Sequence, residues 1–193
     1  MEPVAFIAEH KHVFVIAHVL AIVTGMGTAI VTDLLVLRFG FDKKLSRFEV
    51  STIQFLSRVV MYALGGIILT GTLLFLSNPE GYLASVKFLT KMTIVAALTV
   101  NGWLLHRYIF PHINEPGVIT NPKAKGLRRL GFALGAVSIV SWISALSLGV
   151  LLHIPVSYNE AIGVYAALIV VAILSALTFE SLTLEHARKR ARR

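Results

Sequence analysis

The chain contains no cysteine. Disulfides, thiolate metal ligands and thioether-attached haem are therefore excluded, and the sequence gives no redox-compartment signal. Charge is also scarce. Only 15% of the 193 residues are Asp, Glu, Lys or Arg, against about 25% in a soluble domain. No glycine-rich phosphate loop, zinc-type ligand spacing or nucleophile triad can be assembled from the residues present. There is no linker, low-complexity segment or internal repeat to divide the chain.

What the chain has instead is apolar sequence: 56% of its residues are hydrophobic and its mean hydropathy is +0.77. Runs long enough to cross a bilayer, roughly 20 residues each, occupy 13–37, 53–76, 86–109, 130–152 and 162–184. They predict an all-α integral membrane bundle of five transmembrane helices, forming a single domain over 1–193. The connections are too short to fold alone. The first run is too long for the apolar part of a cleaved signal peptide, and no small-residue cleavage site with a soluble domain follows it. The segment 111–126 is rich in Pro, Gly and Asn and reads as turns. Asn-Pro-Glu-Gly at 78–81 reads as a tight turn. Gly131 and Gly135 form a GxxxG pattern that predicts close helix contact.

The formal charge of +8 would suit a nucleic-acid binder, but its distribution points elsewhere. Arg38, Lys43, Lys44, Arg47 and Arg58 follow the first run, and Arg107, Lys123, Lys125, Arg128 and Arg129 surround the third connection. Arg188, Lys189, Arg190, Arg192 and Arg193 end the chain, so these three clusters hold fifteen of the eighteen basic residues. With alternating helices all three fall on one side, which the positive-inside rule makes cytoplasmic. The expected topology is N-terminus outside and C-terminus inside, in a prokaryotic cytoplasmic (inner) membrane. The tail HARKRARR is expected to meet anionic lipid and not nucleic acid.

Polar residues inside the runs mark the faces turned away from lipid. In the first run His18, Ala21, Gly25, Thr28 and Thr32 recur at spacings of three and four, a single stripe on a helix. A stripe of small residues lets a backbone or a flat cofactor approach, and His18 supplies a nitrogen donor. Ligand binding and plain packing are both open for it.

In the third run Lys87, Lys91 and Asn101 lie within about 80° of one another at 100° per residue. Lys87 is shallow enough to snorkel to water. Lys91 starts one turn deeper, where a lysine pairs with a carboxylate, holds an anionic group or ligates a metal. By depth, His106 lies tens of ångströms from His18 at a rise of about 1.5 Å per residue, so the two cannot share one iron. His153, after the fourth run, competes with Lys91 as partner of His18. His10, His12, His112 and His186 lie outside the runs. Asp33 is expected to pair with Arg58 or Arg107, or to belong to a proton path. Met26, Met61 and Met92 are thioethers of the kind that bind copper(I), and more often serve as packing.

The segments AHVLAIVTGMGTAIVTDLLVLRF, GGIILTGTLLF and SVKFLTKMTIVAALTVNG resemble the membrane superfamily of CopD-type copper-resistance proteins and HemJ-type protoporphyrinogen oxidases. The resemblance covers about 13–112. It implies one b-type haem, with His18 and Lys91 as the residues matching the histidine and lysine implicated in haem binding. The HemJ pattern has a tryptophan where this chain has Lys87, and the last two helices go beyond the match.

The functional expectation is a haem-binding membrane protein that transfers electrons or oxidises a hydrophobic substrate such as a quinol or a porphyrinogen. Its metal ligands are expected among His18, Lys91 and His153, with Gly25, Thr28 and Asn101 shaping the pocket. Expected partners are the lipid bilayer, a quinone or porphyrin ligand and a second copy of the chain. The alternative is a CopD-like copper or small-solute transport protein without haem. It predicts a polar path from Lys87 past Asn101 to Asp33.

Overall fold

The computed structural model describes residues 3–39, 46–112 and 124–191. Lys43, Lys44, Lys123, Arg192, Arg193 and the expected turns of 113–123 lie outside the described residues. Among the described residues all regular structure is helical. A short α1 (Pro3–Glu9) precedes α2 (Lys11–Phe39) and α3 (Arg47–Leu76). A one-turn α4 (Pro79–Leu83) leads to α5 (Val86–Leu104), then α6 (Lys125–Val150) and α7 (Tyr158–Ala191). Five helices, α2, α3, α5, α6 and α7, are long and apolar enough to cross a membrane.

Their outward faces are apolar: Leu20, Val23, Leu69, Val171 and Leu174 are each at least 60% exposed. A soluble protein rarely shows so much contiguous apolar surface. With lipid outside, the outer faces gain nothing from burial, and association rests on close packing and interhelical hydrogen bonds.

The expected runs correspond to these helices, with ends shifted by a few residues where local chemistry decides. Ser46 caps α3, accepting a hydrogen bond from the Glu49 amide at 3.2 Å while Glu49 reaches back to the Ser46 amide at 2.6 Å. This reciprocal capping starts the helix six residues before the apolar run. The expected turn at 78–81 is instead the start of α4, because Asn78 caps it by accepting from the Gly81 amide at 3.2 Å and Pro79 fits the first helical position. After Leu104 the third span continues through a π-helical turn, Leu105–Ile109, and a 3₁₀ turn, Phe110–His112.

α2 and α3 run antiparallel and pack closely. An added Cβ at Gly66 would lie 3.5 Å from Ala21 Cβ, at Gly25 3.1 Å from Ala63 Cβ, and at Gly71 3.4 Å from the His18 ring. The small-residue stripe of α2 is thus covered by a neighbouring helix at His18, Ala21 and Gly25. Ala29, Leu64, Ile67, Leu98 and Trp142 form the core where α2, α3, α5 and α6 meet, with Ile22 and Met26 against it.

Gly25 is where this core is least forgiving. A Cβ there would come within 2.6 Å of Trp142 Cη2, an indole only 3% exposed and without room to retreat. Gly25→Ala is therefore expected to destabilise the bundle by about 1–3 kcal/mol, the usual cost of overpacking a filled core. Thermal unfolding in detergent, followed by tryptophan fluorescence, checks it.

Candidate functional site

The six residues singled out from the sequence fall in different surroundings. On α2, His18 Nδ1 lies 2.8 Å from Thr70 Oγ1 of α3. That hydroxyl donates to the Gly66 carbonyl at 2.6 Å, so the imidazole nitrogen meeting it is best placed to donate, as Nδ1–H. Gly25 is under Trp142, and the Thr28 carbonyl accepts from Thr32 Oγ1 at 2.7 Å.

Lys87 donates to the Leu151 carbonyl at the end of α6. It takes no partner from Glu160, whose carboxylate is held by Ser157 at 2.7 and 2.8 Å. Lys91 makes no hydrogen bond or ion pair among the described residues. Its ammonium faces α6 near Gly149, and it is within electrostatic reach of His18. His153 is exposed in the connection between α6 and α7. The structure therefore brings His18 and Lys91 into one neighbourhood and leaves His153 apart.

Space decides what this neighbourhood can hold. The cavity lined by Lys91, Ile22, Ile67, Val95 and Trp142 measures about 10 Å³, room for about one water. Pockets for drug-sized ligands run to roughly 300–1,000 Å³. The residues as packed do not fit a haem between His18 and Lys91. Among the described residues there is also no cluster of three His, Asp or Glu side chains able to hold a metal ion. The methionines are in three environments: Met26 against the Trp142 core, Met61 in a larger cavity and Met92 39% exposed.

The larger cavity lies at the other end of the bundle, where α2 and α5 finish and α6 begins, and measures about 490 Å³. Its wall is mostly apolar, with Ile53, Val60, Phe132 and Phe179 among the contributors. The polar groups are few. Asp33 enters from α2, Ser57 from α3, His106 from the π-helical turn and Arg128 from α6, beside the hydroxyl residues Thr32, Ser138 and Ser175. The wide turn after α5 carries the imidazole into this space, where Nδ1 lies 3.2 Å from Ser57 Oγ and Phe110 meets the ring edge-on at 5.1 Å. Gly131 and Gly135 face the cavity. A Cβ added at Gly131 would touch Ile109, and one at Gly135 would lie 4.0 Å from Asp33 Oδ1. The GxxxG pattern thus opens volume here beside an aspartate and does not only serve helix contact.

Asp33 does not form the expected ion pair with Arg58 or Arg107. Both arginines are exposed, and Arg107 sits over the Tyr108 ring at 5.9 Å. Asp33 Oδ2 is buried without a hydrogen-bond partner among the described residues. The ion pair at this end is another one: Arg128 Nε donates to Glu180 Oε1 at 2.5 Å, and Arg129 Nε lies 3.7 Å from Oε2.

Sequence reasoning missed His106 and Glu180. Glu180 was signalled by being the one acidic residue within the run 162–184, which demands a partner in an apolar setting. His106 had no such signal, because its direction depends on a π-helical turn that composition does not announce.

No protein-family model matches the chain, and neither a curated protein nor a solved structure does.

Proposed function

We propose that the protein is a multi-pass membrane protein that binds one lipophilic ring compound, of the quinone or porphyrin class, in the cavity between Asp33 and His106. One observation carries this reading: a space of about 490 Å³ with apolar walls, entered by a carboxylate whose Oδ2 has no hydrogen-bond partner among the described residues. A ligand for such a space is largely apolar, as pocket walls of this kind require. It carries a hydrogen-bonding edge for Asp33 and His106, because a buried polar atom left unpaired costs about 1–3 kcal/mol. By the positive-inside argument this end of the bundle is cytoplasmic.

The haem that the family resemblance implies has room in this cavity and not between His18 and Lys91. His106 would then be its imidazole donor. A bound haem would supply one-electron transfer. The chain's own part is to exclude water with its apolar wall, to orient the ring through His106, and to hold or release a proton at Asp33.

An absorption spectrum of the purified protein separates the assignments. If a Soret band is present, His106→Ala should abolish it and His18→Ala should leave it in place. A band lost only in His18→Ala would put the haem at the other end, between helices that must part to admit it.

A further inference from the structure

We propose that the phosphate of an anionic phospholipid headgroup binds where α5 begins and α6 ends, held by the ammonium groups of Lys87 and Lys91 beside the bare backbone of Gly149. The site lies at the opposite end of the bundle from the large cavity and shares no residue with it, so it does not depend on the ligand reading.

The two ammonium groups converge on the last turn of α6. Lys91 lines the small cavity beside Ala145, and its side chain runs from there along α6 towards the helix end, with Nζ next to Gly149. A Cβ added at Gly149 would lie 3.9 Å from that nitrogen and within 4 Å of no other atom from beyond its own stretch of α6. Lys87, one turn earlier on α5, donates to the Leu151 carbonyl, two residues past Gly149. Gly149 and Leu151 are both exposed, so the pair is approached from outside the bundle.

Nothing in the chain balances this charge. Like charges one turn apart on a helix repel, and the first turns of a helix disfavour cations because they carry the positive end of its dipole. α5 has no acidic residue in its first turn. The charged or titratable groups within electrostatic reach of Lys91 are Lys87 and His18, both bases. Glu160 is held by Ser157, and the exposed Glu9 and Glu80 pair with no lysine among the described residues. The Leu151 carbonyl takes one of the three protons of Lys87, while no hydrogen-bond or ion-pair partner among the described residues accounts for Lys91. Asn101, expected on the same face, lies ten residues further on, 3% exposed with both amide ends unpartnered among the described residues, and takes no part.

The surroundings point to lipid as the source of the anion. Tyr82 precedes the start of α5, and Tyr158 Oη lies 2.8 Å from the hydroxyl of Thr93, two residues past Lys91. Tyrosines gather at the level of the headgroups. Beyond that level the surface turns apolar. Leu146 and Ile143, in the turns of α6 before Gly149, are 37% and 48% exposed, and Met92 beside Lys91 is 39% exposed, which gives an acyl chain a surface to lie on. Basic pockets between membrane helices recognise anionic headgroups in this way.

Native mass spectrometry of the full-length protein in detergent, titrated with phosphatidylglycerol, tests the site. The first lipid is expected to bind the wild type about tenfold more tightly than phosphatidylcholine with the same acyl chains, the effect of one charge-assisted hydrogen bond. Lys91→Gln should remove this preference. Gly149→Leu, which keeps both charges and fills the approach, should remove it too, whereas Arg58→Gln at the other end should retain it. A large excess of inorganic phosphate should leave the lipid bound; its displacement would assign the site to free phosphate and overturn the lipid source. No preference in the wild type, or an undiminished one in Lys91→Gln, overturns the proposal. Gly149→Leu remains decisive if Lys91→Gln fails to fold. Neither Asp33 nor His106 enters this test, so its failure and a failure of the ligand reading are told apart.

Discussion

Glu180→Ala is expected to destabilise the protein by about 3–5 kcal/mol, the range for breaking a buried ion pair by removing one partner. The carboxylate is only 2% exposed, and the Arg128 side chain that donates to it is 7% exposed. Both were desolvated to pack α6 against α7, so deleting the carboxylate removes what compensates a guanidinium at the cavity wall. Arg128→Ala should cost less than Glu180→Ala, because Arg129 remains 3.7 Å from Glu180 Oε2 and can turn toward it. Arg129→Ala is the control. Its side chain is 48% exposed, and a solvent-accessible pair of that kind contributes about 0–1 kcal/mol. Thermal unfolding of the three variants in one detergent measures the order. Equal losses for Arg129→Ala and Glu180→Ala would show that burial is not what sets the energy.

Gly135→Leu is expected to abolish ligand binding while leaving the bundle folded. The glycine lines the large cavity, and the four carbons a leucine adds begin 4.0 Å from Asp33 Oδ1, in space the ligand would use. At Gly25, by contrast, a single methyl group meets Trp142 at 2.6 Å, and the penalty is in stability. At Gly135 the nearest atom to the new Cβ is 4.0 Å away, an ordinary van der Waals contact. Stability should therefore move by well under the about 1–3 kcal/mol expected of an overpacked site, and occupancy should fall to background.

The helices were legible in the sequence because five apolar runs of spanning length leave little else for the backbone to do in lipid, where every peptide group must be satisfied within its own helix. The ends were less so. Ser46 with Glu49 and Asn78 with Pro79 moved boundaries by capping, which acts through two or three side chains and not through periodicity. Depth along the helix separated Lys87 from Lys91, and their surroundings do differ: Lys87 donates to the Leu151 carbonyl, while the Lys91 ammonium lies near Gly149 of α6. The facing of α2 was legible as a stripe, but the sequence left open what lies on it. The answer, a second helix at Ala21 and Gly25, depends on how Gly66 and Ala63 of α3 are placed to meet it.

The large cavity was the least legible part. It is made by five segments meeting at one end, and its two protonatable members arrive by routes that composition hides. His106 is turned inward by a π-helical segment. Asp33 Oδ2 is left without a hydrogen-bond partner among the described residues: Arg58 and Arg107 are exposed, and Arg128, the basic residue that does reach the wall, is committed to Glu180.

The central claim is that this cavity holds a lipophilic ring compound. Solvent extraction of the purified protein, followed by mass spectrometry of the extract, tests it most directly when wild type and Gly135→Leu are compared at equal protein. A quinone, porphyrin or haem near one per chain in the wild type, and at background in Gly135→Leu, is the predicted result. An extract with no such compound, or equal amounts from both proteins, would contradict the claim.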